Sequence, residues 1–444
     1  MQTDQLTFSM LRALAGRDWL QRPLNVALAP FNPFDPRRHA DPYPLYDRAR
    51  RQPIFYNRMA RTWMVTGYEE ATAVLRGPVS VDRRHTIESI TPYRNMRSDN
   101  IELLLSSMLM RDAPDHGRLR KLVNRAFTPR AVTNVAPRIS ELTDELIGEL
   151  ADRATDRPVD GAPIDVMAGL ANRLPIYAIG ELLGIPRADR EALKAMSDVV
   201  AQFVDPFTVF DATEMDRTID DLRSMFDRLA QERTVDPQDD LLTALVQAED
   251  DGRRLSRDEL IAMVILLLIA GHETTSGLLG NAIIALGRNP GAVRQLRQEP
   301  ALIRNAVEEF LRFDSPIQAT DRTVVEDFTV GNRTVPAGAI VLVLFGAANR
   351  DPRRYDCPNE LRLDRHDPRP ISFGHGIHHC VGAALARLEA AAVIPAFVDA
   401  FPNFRVDERA LTWRRSTTFR GPKVLPVHLL GRDRAGAGAG PDRT

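Results

Sequence analysis

The chain is poor in cysteine: Cys357 and Cys380 are its only two in 444 residues. A disulfide framework is thereby excluded, and a reducing compartment, the cytoplasm, is the default. Lysine is nearly as scarce, present at Lys121, Lys194 and Lys423 alone, so arginine supplies almost all the positive charge. With a formal net charge of −2, neither nucleic acid nor an anionic membrane surface has an electrostatic reason to bind. No apolar run approaches the roughly 20 residues that cross a bilayer; the stretch Ile261 to Gly271 falls far short. Residues 1–30 carry Asp4, Arg12, Arg17, Asp18 and Arg22 and lack the long apolar core of a secretory leader. Interior linkers and internal repeats are missing too. The expected organisation is an irregular segment over 1–30, one domain over 31–430, and an Ala/Gly-rich tail, 431–444, with the composition of a disordered end.

What is present is ample core material, 44% of residues being hydrophobic. The pattern predicts a helix from Leu45 to Arg51, strands at Ile54–Tyr56 and Thr62–Thr66, and a helix from Tyr68 to Leu75. Residues 80–105 read as loop. From Pro114 to 290 the apolar spacing is mostly helical, broken at Pro129, Pro158, Pro186, Pro206 and Pro237. Strand patterns return around 320–345 and 410–430, and a last helix is expected from about Val381 to Ala400. The fold class is therefore mainly α with a minor β region.

Three segments carry chemistry. In Phe373-Gly374-His375-Gly376-Ile377-His378-His379-Cys380-Val381-Gly382, a thiol ends a Gly-punctuated loop just before a helix-forming run. Free N–H groups and the dipole of that helix favour a thiolate. The glycines let the backbone turn tightly and leave room for something large and flat beside the sulfur. A packing cysteine, a zinc site with His375, His378 and His379, and a cysteine nucleophile compete with this reading. Zinc lacks a second ligand pair along the chain, and a nucleophile lacks a marked base. The second segment is Ala270-Gly271-His272-Glu273-Thr274-Thr275, in the middle of a helix expected over Arg257 to Gly287 and apolar nearly all round in its first half. A carboxylate and a hydroxyl there are costly unless used or paired; Thr274 bonding back to the preceding turn is the plain alternative. Third, Glu309 and Arg312 stand at i, i+3 on a helix, a spacing that mostly decorates surfaces.

The loop resembles, at every fixed position, the haem-binding loop of the cytochrome P450 family. The other segments follow in the order that resemblance implies, over roughly residues 30–430. It implies the P450 fold, a triangular helical prism with haem b held between the long central helix and the helix after the Cys loop. Cys380 would be the axial iron ligand, with Phe373, Gly374 and Gly382 shaping its loop. Ala270 and Gly271 would leave a groove for O2, Thr274 would hydrogen-bond it, and Glu273 would relay protons from solvent. His116, Arg120, Arg322 and His378 would hold the haem propionates, and Glu309 with Arg312 would form a buried structural pair beneath the haem. A propionate-binding histidine usual three residues before Phe373 is here Pro370, and Ala113 replaces a usual proline. The implied function is a haem-thiolate monooxygenase acting on a small lipophilic substrate. Its electrons would come from NAD(P)H through a separate ferredoxin and ferredoxin reductase, docking near Arg118, Lys121 and Arg125; the enzyme is expected as a cytoplasmic monomer. A peroxide-driven peroxygenase and a non-catalytic haem sensor or carrier are the alternatives.

Overall fold

The computed structural model describes residues 31–32, 37–58, 60–82, 84, 93–155, 162–205 and 210–429. The expected N-terminal segment and tail lie outside the described residues, as do the helix breaks Pro158 and Pro206. Helices dominate, as the periodicity requires. The ones that build the site are α1 (Asp115–Ala126), α2 (Arg173–Leu182), α3 (Arg190–Val200), α4 (Arg257–Gly287), α5 (Ile303–Phe313) and α6 (Ala383–Ala400). A five-stranded sheet of β1 (Ile54–Asn57), β2 (Thr62–Val65), β3 (Val79–Ser80), β4 (Ala319–Val324) and β5 (Ile340–Leu344) runs in the order β1-β2-β5-β4-β3. β5 pairs parallel with β2 and antiparallel with β4, and this register sets Arg322 opposite Val341.

α4 is the axis of the molecule. Ser256 caps it, its hydroxyl accepting from the Glu259 N–H while the Glu259 carboxylate accepts from the Ser256 N–H. That box satisfies backbone donors a helix start otherwise leaves orphaned. Beyond it the helix buries residues on every side, from Ile261 to Leu286. α4 is long and apolar enough to cross a membrane, yet 78% of its apolar window is buried inside the protein. Its apolarity is that of a core helix.

The structure corrects three boundaries. Residues 80–105 are not all loop: Ser98–Leu105 is a helix that buries Ile101, Leu103, Leu104 and Leu105. The expected helix at 45–51 runs from Tyr43 to Ala49, because Pro42 and Pro44 fit a first helical turn, whose N–H groups have no intrahelical partner. The last helix starts at Ala383 rather than Val381, with Gly382 at its N-cap.

Candidate functional site

The Cys loop is held by its own backbone. Cys380 N–H donates to Phe373 O at 2.9 Å and Gly374 N–H to Ile371 O at 2.8 Å. Gly374 and Gly376 have φ of +70° and +71°, where a side chain is strained. At Gly376 a Cβ would also lie 2.5 Å from the carbonyl of Leu75, so this turn needs glycine twice over. Just ahead of the loop, the carbonyl of Arg369 accepts from the hydroxyls of Tyr68 (3.0 Å) and Tyr355 (2.9 Å). Ser372 Oγ donates to Leu311 O and accepts from Asn349 Nδ2, each at 2.8 Å, and Ser315 Oγ also donates to it at 2.8 Å. The loop is thereby tied to α5. Neither Asn349 nor Ser372 has a role assigned from sequence.

Cys380 faces a cavity of about 290 Å³. The helix dipole does not carry the day at the thiol: burial pushes Cys380 above its ordinary value. The N–H groups of Gly382 and Ala383, with Arg120 and Arg387, pull the other way without prevailing. A coordinated metal supplies the charge that deprotonates such a thiol. Arg387, one turn into α6, was not singled out from sequence; its guanidinium lies 4.4 Å over the Phe373 ring and pairs with Glu308.

His116, Arg120, Arg322 and His378 all line this cavity. His116 and Arg120 share a face of α1. The rings of His116 and His378 are 4.2 Å apart between centroids. Burial pushes both imidazoles down, His378 to about 3, with each other or the nearby arginines adding to the effect. The Nε2 atoms of both are buried without a hydrogen-bond partner among the described residues. An unpartnered buried nitrogen is costly, and an acidic group offered to this edge would satisfy the pair. Arg322 is steadied by Thr320 Oγ1 at 2.8 Å and the Asp321 carbonyl at 2.7 Å. A lone thiol, an open glycine loop and an imidazole–guanidinium edge together fit a flat iron-bearing dicarboxylate, which is to say a haem.

Ala270, Gly271 and Thr274 of α4 line the same cavity, whereas His272 and Glu273 do not. The Thr274 hydroxyl donates to Ala270 O at 2.7 Å, the local back-bond open to a helical threonine. A methyl at Gly271 would lie 3.3 Å from Ile179 of α2, so the small residue there also serves helix packing. The Glu273 side chain, 2% exposed, pairs with Arg414, and its Oε1 lies 3.7 Å from His272 Nδ1. Arg414, just beyond the short strand Thr412–Trp413, carried no sequence signal. Burial drives His272 down to about 3.

Glu309 and Arg312 on α5 are both fully buried, joined at 2.7 and 2.8 Å. Arg312 also donates to the carbonyls of Asn349, Pro358 and Glu360. Arg365, unmarked in sequence, adds a second guanidinium 3.0 Å from Glu309. On the surface, Arg118 is held by Glu259, while Arg125 and Lys121 reach Asp250 at 2.5 and 3.6 Å. The basic patch expected there is therefore largely neutralised by its own neighbours. Ile377, at the tip of the Cys loop, is 59% exposed.

A family model described as Cytochrome P450 matches residues 53–412. The chain is 40% identical over 374 residues to Vitamin D(3) 25-hydroxylase of Pseudonocardia autotrophica, covering 83% of this chain and 88% of that one. It is 37% identical over 410 residues to Cytochrome P450 monooxygenase PikC of Streptomyces venezuelae, covering 90% and 94%. Among solved structures, P450BioI in complex with hexadec-9Z-enoic acid ligated acyl carrier protein aligns with a TM-score of 0.80 and 33% identity, over 89% of this chain and 99% of that one.

Proposed function

The chain belongs to the cytochrome P450 family and is a haem-thiolate monooxygenase, and on that premise we propose that it hydroxylates or epoxidises a small lipophilic substrate using haem b and a separate electron donor. The observation that carries this is one cavity bounded by Cys380, by the His116/Arg120/Arg322/His378 edge and by Ala270–Thr274 of α4. Haem, when bound, supplies O2 binding and reductive cleavage, one atom entering the substrate and the other leaving as water. The residues do the rest. Cys380 would hold the iron, and His116, Arg120, Arg322 and His378 would hold the two carboxylates. Thr274 presents a hydroxyl to the cavity, and Glu273, parked on Arg414, would store the acidic group that passes protons inward. Glu309 with Arg312 stays structural. Exclusion of water follows from the apolar wall, which includes Leu109, Ile179, Leu267, Ile317 and Phe419.

That wall also supports a lipophilic substrate, in keeping with one relative being a vitamin D(3) 25-hydroxylase and another being held in complex with a fatty-acid-ligated acyl carrier protein. Electrons arrive from NAD(P)H through a ferredoxin and its reductase in the cytoplasm. Docking uses exposed Ile377 with Arg118, Lys121 and Arg125, a surface whose charge is mostly internally balanced. The test is turnover of a candidate substrate, first found by its shift of the haem absorption band. Product with NAD(P)H, ferredoxin and reductase, and little with hydrogen peroxide alone, is expected. Equal or better turnover with peroxide would make the enzyme a peroxygenase. Charge reversal at Arg118 and Arg125 should weaken and desensitise to salt the reduction by ferredoxin; unchanged, salt-independent reduction would remove this face from docking.

A further inference from the structure

Behind the cavity wall lies a polar cluster of which the proposed reaction uses one member. His272 of α4 is completely buried, and neither ring nitrogen has a hydrogen-bond partner among the described residues. Glu273 Oε1 beside it and Asp198 Oδ1 on α3 are likewise buried without hydrogen-bond partners among the described residues. Unsatisfied polar atoms rarely gather in a folded core unless something binds them. The ligand atoms of these three residues all lie within 4.8 Å of one another, and His272 Nδ1 is 3.7 Å from Glu273 Oε1. Ligands of a tetrahedral zinc ion stand about 3.4 Å apart, so a modest contraction would close the set on an ion. One imidazole and two carboxylates is a donor set that suits zinc and its neighbours, with water in the fourth position.

The nearby cations do not block this. Arg414 takes Glu273 Oε2, and Lys194 takes Asp198 Oδ2 at 2.7 Å; the unpartnered oxygens are the other two. Arg414 and Lys194 are 20% and 28% exposed, so both can turn toward solvent when a divalent ion replaces their charge.

We propose that Asp198, His272 and Glu273 form a site for one divalent transition-metal ion of the zinc class, and that an ion there clamps the Glu273 carboxylate and slows turnover. The second half rests on the reading of Glu273 as the proton relay. The site itself does not, and its test is a binding measurement. Zinc ion is titrated into the EDTA-treated holoprotein against a chromophoric chelator, for the parent, His272→Asn and Asp198→Asn. The part-exposed Asp198 variant keeps the test alive if His272→Asn folds poorly. One ion per chain is expected in the parent, weakened by about tenfold or more in either variant. No saturable ion, or binding in both variants equal to that of the parent, overturns the site; in the second case the loop residues His375 and His379 would be the ligands. Turnover is measured next. Zinc ion should inhibit the parent, reversibly with EDTA, and leave His272→Asn uninhibited. A bound ion that leaves parent turnover unchanged overturns the clamp, while the site and the monooxygenase reading both stand.

Discussion

Glu309 is where loss of a single charge has a cost that can be worked out. Its fully buried carboxylate accepts from Arg312 Nε at 2.7 Å and Nη2 at 2.8 Å, from Arg365 Nε at 3.0 Å and from the Arg362 N–H at 2.9 Å. Glu309→Gln keeps the size and removes the charge. Arg312 and Arg365 would keep their carbonyl acceptors, among them Pro358 O and Asp356 O. The anion both guanidiniums share would be gone. Breaking a buried pair from one side costs about 3–5 kcal/mol. Unfolding entropy of roughly 2.1 cal/mol/K per residue gives about 0.9 kcal/mol/K for 444 residues. The expected loss in Tm is therefore about 3–5 °C. Far-UV circular dichroism at one fixed scan rate is the assay, since a chain this long tends to unfold irreversibly and its midpoint moves with scan rate. Arg365→Met should cost clearly less, because Arg312 still neutralises Glu309. The reasoning fails if Glu309→Gln melts within about 1 °C of the parent, or if Arg365→Met is the more damaging change.

Three further outcomes are expected. Glu389 of α6 is buried, its Oε2 without a hydrogen-bond partner among the described residues, and burial pushes its carboxyl from 4.5 up to about 8. The folded state therefore holds a proton that the unfolded chain releases, so stability should fall between about pH 4.5 and 8 and level off beyond. Glu389→Gln should match the parent's Tm at low pH and gain on it steadily up to about pH 8; a pH-independent offset would refute this. Thr274→Ala should divert electrons from product, raising NAD(P)H consumed per product, while Thr274→Ser stays close to the parent; equal coupling in all three would take the hydroxyl out of the reaction. Gly376→Ala meets the left-handed penalty of roughly 1–2 kcal/mol and a clash with the Leu75 carbonyl. It should lower the haem content of purified protein, and full haem content with an unchanged Tm would show that the loop can move aside.

Much of this protein was legible because its signals are local. The span Arg257 to Gly287 is readable as one helix, since all-round apolarity at helical length has one common outcome in a buried core. The Cys loop is readable because tight turns demand glycine at fixed places. The short helix Ser98–Leu105 was missed, since the 80–105 region as a whole shows no sustained period.

By itself, then, the sequence determined the fold class, the thiol and its loop, and the identity of the residues on α4 and α5. Tertiary structure alone decided which charges meet. Arg365 joins Glu309 from 56 residues away, Arg414 claims Glu273, and Asp198 comes from another helix to stand beside His272. Partners so far apart leave no pattern in a single chain, because their pairing is set by packing geometry rather than by spacing. The thiol makes the same point: a helix start argues for thiolate from sequence, yet burial, visible only in the folded protein, costs the charge more than the dipole returns.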